Sequence, residues 1–189
     1  MKVEVRALTP ALWEDLERLF GARGACGGCW CMYWRHPLGE RWDDVKGAGN
    51  RRRLRTLVLA GRAHGMIAYV DNSPVGWIAF DKRRDYARLD RSPSLACDDA
   101  DCVWSVPCFF VRTGLRRRGI SSALLAAALK ELRCRGAAIV EAYPARPATA
   151  GKPIPPAFAF TGTQSLFRKQ GFVAVGRRDT GKQRMRLEL

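Results

Sequence analysis

The stretch that decides the fold begins Val103-Trp-Ser-Val-Pro-Cys-Phe-Phe-Val111 and continues Arg112-Thr-Gly-Leu115, Arg116-Arg-Arg-Gly-Ile-Ser121 and Ser122-Ala-Leu-Leu125. Nine largely apolar residues predict a buried strand, and Pro107 inside it predicts a bulge or a splayed edge because proline donates no ladder hydrogen bond. Ile120, Leu124, Ala128 and Leu132 then recur at helical spacing, so a helix is expected from about Gly119 to Arg135, with Gly136 as its C-cap. Between strand and helix lies a short basic turn. A helix amino terminus offers unpaired N–H groups and positive dipole charge, and glycine lets a ligand approach the backbone, so this turn is suited to a phosphate group. Backbone amides of Arg117 to Ser121 are candidates to hold a pyrophosphate, and the splayed strand end at Phe109, Phe110 and Val111 is a candidate edge for an amide-bearing chain to pair with. The turn is neither a Walker loop nor a GxGxxG dinucleotide turn.

Outward from this centre the chain alternates strands and helices. Val3 to Leu8 alternates with period two and reads as a strand, and Thr9-Pro10 opens a helix over Ala11 to Phe20. Residues 21 to 50 are rich in Gly and aromatics, and Asn50 is expected to cap a second helix over Arg51 to Ala60. Met66 to Val70 and Val75 to Phe80 flank Asp71-Asn-Ser-Pro74 as a hairpin. Lys82 to Ala100 reads as a polar loop. After the central helix come a strand from Ala138 to Tyr143, a Pro-rich crossover from Pro144 to Pro156 of the kind that often forms a lid or binding wall, and a short helix from Thr163 to Gln170. Two last strands, Phe172 to Gly176 and Arg184 to Leu189, surround a turn at Asp179-Thr-Gly181. The length of 189 residues with no linker or repeat predicts one domain, residues 1–189.

Composition bounds the partners. The chain has 33 Lys plus Arg against 18 Asp plus Glu, a net charge of +15, and 26 of the 33 are Arg, whose planar fork suits phosphate or carboxylate. Seven cysteines are an odd number in a chain with ample apolar residues, so they are read as reduced thiols of a cytoplasmic protein. The amino terminus has no apolar h-region, and the longest apolar runs are about half the ~20 residues a membrane span needs.

The order strand ending Phe109-x-Val111, four residues, then Arg116-x-x-Gly119-x-Ser121 opening an Ala/Leu helix resembles the acetyl-CoA motif R/Q-x-x-G-x-G/A of the GNAT N-acetyltransferase superfamily. The flanking elements follow that family's order across nearly the whole chain. The resemblance implies an α/β (α+β) fold with a central mixed, mostly antiparallel sheet of about seven strands and helices on both faces. It implies an acetyl-CoA-dependent N-acyltransferase. Phe109, Phe110 and Val111 would pair with the pantetheine arm, and Arg116, Arg117, Arg118, Gly119, Ile120 and Ser121 would hold the pyrophosphate. Ser121 departs slightly from the family's Gly or Ala. The Tyr that many members use to protonate the departing thiolate is Phe167 here, the Asn seven residues before it is Phe160, and the position of the histone-type glutamate base is Ser105.

The acid/base half of the site is therefore open. Glu141, alone inside an apolar strand, is a candidate base or amine-orienting group, with simple pairing to an arginine as the alternative reading. Tyr143 is a candidate for the missing phenol, the alternative being an ordinary strand aromatic. Trp30, Tyr33 and Trp34 are candidates for the acceptor wall, or else an aromatic core cluster. Cys26-Gly-Gly-Cys29-Trp-Cys31 and His36 give one crowded ligand pair rather than two spaced ones, so no metal site is expected and the role of Cys26, Cys29 and Cys31 is open. The expected acceptor is a small-molecule amine, attacking directly in a ternary complex. A protein amine is one alternative, and a nucleic-acid-binding module without turnover is another, disfavoured because aromatics are not interleaved with the basic runs. Oligomeric state, monomer or homodimer, is left open.

Overall fold

The computed structural model describes residues 1–37, 39–145, 159–176 and 181–189. Seven strands form one sheet in the order β1-β2-β3-β4-β5-β7-β6. They are β1 (Glu4–Ala7), β2 (His64–Val70), β3 (Ser73–Lys82), β4 (Val103–Val111), β5 (Ile139–Ala142), β6 (Val173–Ala174) and β7 (Met185–Glu188). Every neighbouring pair is antiparallel except β4 and β5. That pair is parallel because the chain crosses over through a helix, α4 (Ile120–Cys134), the connection parallel strands require.

Alternation along the strands sends side chains to two faces. Met66, Ala68, Ile78, Val106 and Phe109 pack with Ile120, Leu124, Leu125 and Ala128 of α4. Ile67, Tyr69, Trp77 and Ala79 pack on the other face with α1 (Trp13–Phe20) and α3 (Ala48–Leu59). Among the described residues two further helices are short, α2 (Trp42–Val45) and α5 (Gln164–Arg168). Thr163 caps α5 by accepting from Leu166 N–H at 3.3 Å.

Several expectations are corrected. The second helix is not capped by Asn50: α3 starts three residues earlier than expected, behind Gly47, and the buried Asn50 amide donates to the Gly28 carbonyl at 3.2 Å. The first helix opens as a 3-10 turn over Pro10–Leu12. The hairpin turn is only Asp71 and Asn72, both at positive φ as a two-residue turn needs, while Pro74 already pairs with Tyr69 beside a bulge. Lys82 to Ala100 is no open loop: 3-10 turns at Arg83–Asp85, Ala87–Arg91 and Pro93–Leu95 bury Arg83, Tyr86, Leu89 and Leu95. Most of the Pro-rich crossover and most of the Asp179 turn lie outside the described residues. No helix among the described residues is long and apolar enough to cross a membrane.

Candidate functional site

The site grows from one interrupted strand pairing. β4 and β5 stay paired from Val103 opposite Ile139 to Val106 opposite Ala142, and there the pairing stops. The next residue is Pro107, which has no N–H to offer. On its other side β4 continues along β3 from Cys108 opposite Ala79 to Val111 opposite Gly76. Arg112 N–H donates to Val75 O at 2.9 Å, which sets the phase of that ladder. By antiparallel alternation Phe110 and Cys108 turn their backbone groups to β3, while Phe109 and Val111 turn theirs into the gap β5 has left. Among the described residues only one of those groups is engaged by a side chain: Arg116 Nε donates to Val111 O at 3.2 Å. The Phe109 side chain packs against Phe167 at 5.9 Å and that of Phe110 against Phe20 at 5.8 Å.

The amino end of α4 lies beside this edge because Gly76 lets it. A Cβ on Gly76 would stand 2.8 Å from Ile120 Cγ2, so only glycine allows the first turn of α4 to sit on β3. Gly119 is the N-cap at φ +81°, with no side-chain hydrogen bond capping the helix. Arg117 is also left-handed, at φ +61°, and such alternating backbone turns N–H groups toward one concave spot. A Cβ on Gly119 would meet nothing within 4 Å, so the space above the turn is open. Arg112, Arg116, Arg117 and Arg118 are exposed, and no carboxylate among the described residues pairs with any of them. Ile120 is buried beneath the turn, and Ser121 is half-buried in its first helical residues.

Across the gap stands an aromatic group. Trp34 Nε1 donates to Pro107 O at 3.1 Å, tying residues 30–35 to the point where the strands part. Tyr33, Trp34 and Phe160 meet pairwise at 5.1, 5.9 and 6.4 Å between centroids. The Arg88 guanidinium stacks on Tyr33 at 4.2 Å. Trp30 is not among them. Left-handed backbone at Trp30 and Cys31 turns its ring back to Trp13 and Phe20, at 6.2 and 5.6 Å, inside the core beneath α1.

Glu141 and Tyr143 face the same side of the sheet and are both wholly buried. The Glu141 carboxylate accepts from Arg186 Nη2 at 2.8 Å and Nε at 3.0 Å, with Arg184 at 3.5 Å and Arg83 at 4.0 Å. This is the arginine-paired arrangement of the two readings of Glu141. The Tyr143 hydroxyl accepts from Arg83 Nη1 at 3.0 Å, lies 2.7 Å from Ser105 Oγ and donates to Glu141 Oε2 at 3.3 Å. Burial, ahead of the Glu141 charge, pushes the Tyr143 phenol well above its ordinary range. Arg186 also grips Asp99 through two bonds of 2.8 and 2.7 Å, which hold that carboxyl well below the usual range.

Cys31 accepts from the Trp77 indole at 3.2 Å and lies against Cys108, whose thiol that contact, ahead of burial, pushes well above its ordinary range. Burial pushes the Cys29 thiol up to about 11. Among the described residues no group of three or more His, Cys, Asp or Glu side chains is placed to hold a metal ion.

Sequence reasoning missed Lys182. It bridges to Ala145, directly beyond β5, its Nζ donates to Thr161 Oγ1 at 3.2 Å, and it stands 4.9 Å from the Phe160 ring and 5.7 Å from that of Trp34. Burial lowers its pKa to about 8. A lone lysine after a turn glycine carries no sequence signal of this placement, because the partners come from three distant segments.

Residues 13–150 match the acetyltransferase (GNAT) family. No curated protein matches the chain. Among solved structures, a PaiA N-acetyltransferase from Thermoplasma acidophilum in complex with coenzyme A aligns over 100% of both chains with a TM-score of 0.59 at 15% identity. A polyamine N-acetyltransferase of Drosophila melanogaster, which forms N-acetylagmatine, aligns over 100% of both chains at 0.59 and 13%. A ribosomal-protein-alanine N-acetyltransferase from Brucella melitensis aligns over 98% of this chain and 99% of its own at 0.57 and 19%. At such identities the likeness is one of fold.

Proposed function

The chain belongs to the acetyltransferase (GNAT) family and is an N-acetyltransferase that takes its acyl group from acetyl-CoA, and from that premise we propose that it acetylates the amine of a small-molecule acceptor by direct attack on the bound thioester. In this reading the free backbone groups of Phe109 and Val111 pair with the amides of the pantetheine arm, with Phe110 holding the strand to β3. The N–H groups of Arg117 to Ser121 and the charges of Arg116, Arg117 and Arg118 hold the pyrophosphate, above the bare Cα of Gly119. Tyr33 and Trp34 form the acceptor wall, with Phe160 completing it. Trp30 is read as part of the core beneath α1 rather than of that wall.

One observation carries the reading: among the described residues, an unpaired strand edge adjoins an uncapped, carboxylate-free arginine turn with open space above its glycine. Those features fit a polyanion carrying an amide chain. Holding amine and thioester in attack geometry supplies ~7–11 kcal/mol of the barrier without any covalent intermediate on the protein. Glu141 and Tyr143 are read as the floor of the site, engaged with Arg83 and Arg186 rather than with the amine. The whole chain is read as one domain, since β1 and β7 share the sheet. Seven free thiols support a cytoplasmic location.

The test is thermal unfolding with CoA at millimolar concentration, a ligand expected to raise the melting temperature by mass action. Gly119→Glu is expected to remove that shift by placing a carboxylate in the pyrophosphate space. Retention of the full shift by that variant refutes the assignment of the turn. Thiol release from acetyl-CoA with small amines, set against peptides bearing a free amino terminus or lysine, then separates the small acceptor from the protein acceptor.

A further inference from the structure

We propose that Lys182 is the proton-transfer group of the reaction, carrying the proton from the attacking amine to the departing thiolate. The inference rests on the acetyl-transfer reading above and fills the position that Phe167 leaves empty: that ring is wholly buried between Phe109 and Phe172 and carries no hydroxyl.

Geometry carries the assignment. Lys182 bridges to Ala145 in the antiparallel register of β7, on the side of β5 away from β4, and its side chain reaches back to Thr161, whose 3-10 turn packs against β4. Its ammonium lies beside the acceptor-wall rings Trp34 and Phe160, 5.7 and 4.9 Å from their centroids, and Trp34 is itself bonded to Pro107 O where the gap opens. The groups facing Nζ come from three elements: Thr161 Oγ1 from the 3-10 turn Ala159–Thr161, Cys108 from β4, and the two rings. Cys108 is the only titratable group among the described residues that acts on it, and it immediately precedes Phe109. No carboxylate among the described residues pairs with this half-buried lysine. Desolvation, with no carboxylate among the described residues to offset it, favours the neutral amine, so a pKa of about 8 supplies a base near neutrality, matched to a thiol of about 8.5.

The step balances within the two substrates. As the acceptor nitrogen bonds to the thioester carbon, neutral Nζ takes the proton that nitrogen loses. As the carbon–sulfur bond breaks with its electron pair going to sulfur, the same proton passes from Nζ to sulfur, releasing CoA as the thiol and leaving Lys182 neutral. Both reacting atoms are bonded to one carbon, so a single nitrogen reaches each in turn.

The experiment has two arms on the full chain. In the first, the rate at which acetic anhydride labels Lys182 is followed by peptide mass spectrometry across pH, with and without CoA. A midpoint near 8 and protection by CoA are expected; a midpoint near that of exposed lysines, or no protection while CoA still raises the melting temperature, overturns the proposal. Loss of the CoA melting shift in the unaltered protein instead sinks the underlying reading. In the second, thiol release from acetyl-CoA is measured with hydroxylamine at high concentration, whose nitrogen stays neutral throughout. Turnover is expected to rise with pH through about 8 and then level, and Lys182→Met to lose about 10²-fold in kcat. Lys182→Arg, which keeps the charge and cannot give it up, is expected to lose as much and to lose the pH step. Wild-type-like rates in either variant, a rate that falls above pH 8, or no thiol release above the uncatalysed rate each overturns it.

Discussion

Phe167 is held by three neighbours, and one of them is a glycine. Gly162 sits at φ +79°, and a Cβ there would stand 2.8 Å from the Phe167 ring. Gly162→Ala adds left-handed strain to that overlap, and the expected cost is about 2 kcal/mol, read as a lower urea midpoint at unchanged slope. A change below 0.5 kcal/mol would mean that the ring has room to move. Lys182 gives a prediction of opposite sign. Its pKa in the folded chain, about 8, lies below the ordinary lysine value of about 10.4, so the unfolded chain binds more protons between those two pH values. Stability contributed by this residue is therefore lowest below pH 8 and recovers as pH rises toward 10.4. Lys182→Met is expected to raise the melting temperature at pH 7, with the gap from wild type narrowing by pH 10. A variant that gains stability while losing turnover is the pattern of a residue kept for chemistry. A lower melting temperature at pH 7 contradicts the net cost of burying this ammonium.

The elements differ in how much of them was legible in the sequence. β4, the arginine turn and α4 were legible almost to the residue because each rests on local chemistry: an apolar run, a proline that ends a ladder, a glycine at a helix start, an i, i+4 apolar stripe. The start of α3 was not, since Asn50 spends its amide on Gly28 rather than on the helix end. Least legible was the patch under the site, where Arg83, Asp99, Glu141 and Arg186 come from elements far apart in the chain and look like surface charges until the fold brings them together. That patch ties the turns after β3 to β5 and β7. Removing its one wholly buried carboxylate takes away the charge that Arg83, Arg184 and Arg186 share, so Glu141→Gln is expected to cost about 3 kcal/mol. If Glu141 only supports the site, kcat of the folded fraction falls by less than about tenfold; a loss of 10²-fold or more in a folded protein would restore it as a base.

At the scale of the whole molecule the net charge of +15 was a weak clue, compatible with any polyanion. The structure divides it. Arg51 is paired with Glu17, Arg53 with Glu40, Arg35 with Asp81 and Arg186 with Asp99 and Glu141. Arg112, Arg116, Arg117 and Arg118 have no such partner among the described residues, so uncompensated charge gathers where the dipole of α4 already favours an anion. All four are exposed, and exposed charges are screened over about 10 Å at 0.1 M salt. CoA affinity is therefore expected to fall on the order of tenfold between roughly 0.05 and 0.5 M sodium chloride, measured by calorimetry. The double variant Arg112→Gln, Arg118→Gln is expected to bind more weakly at low salt and to meet wild type at high salt, since backbone N–H groups remain once the charges are screened. The same substitutions at Arg51 and Arg53, which are already paired, are expected to leave the slope unchanged. If the two double variants flatten it equally, the attraction comes from diffuse net charge and the arginine turn has no special part in holding the cofactor.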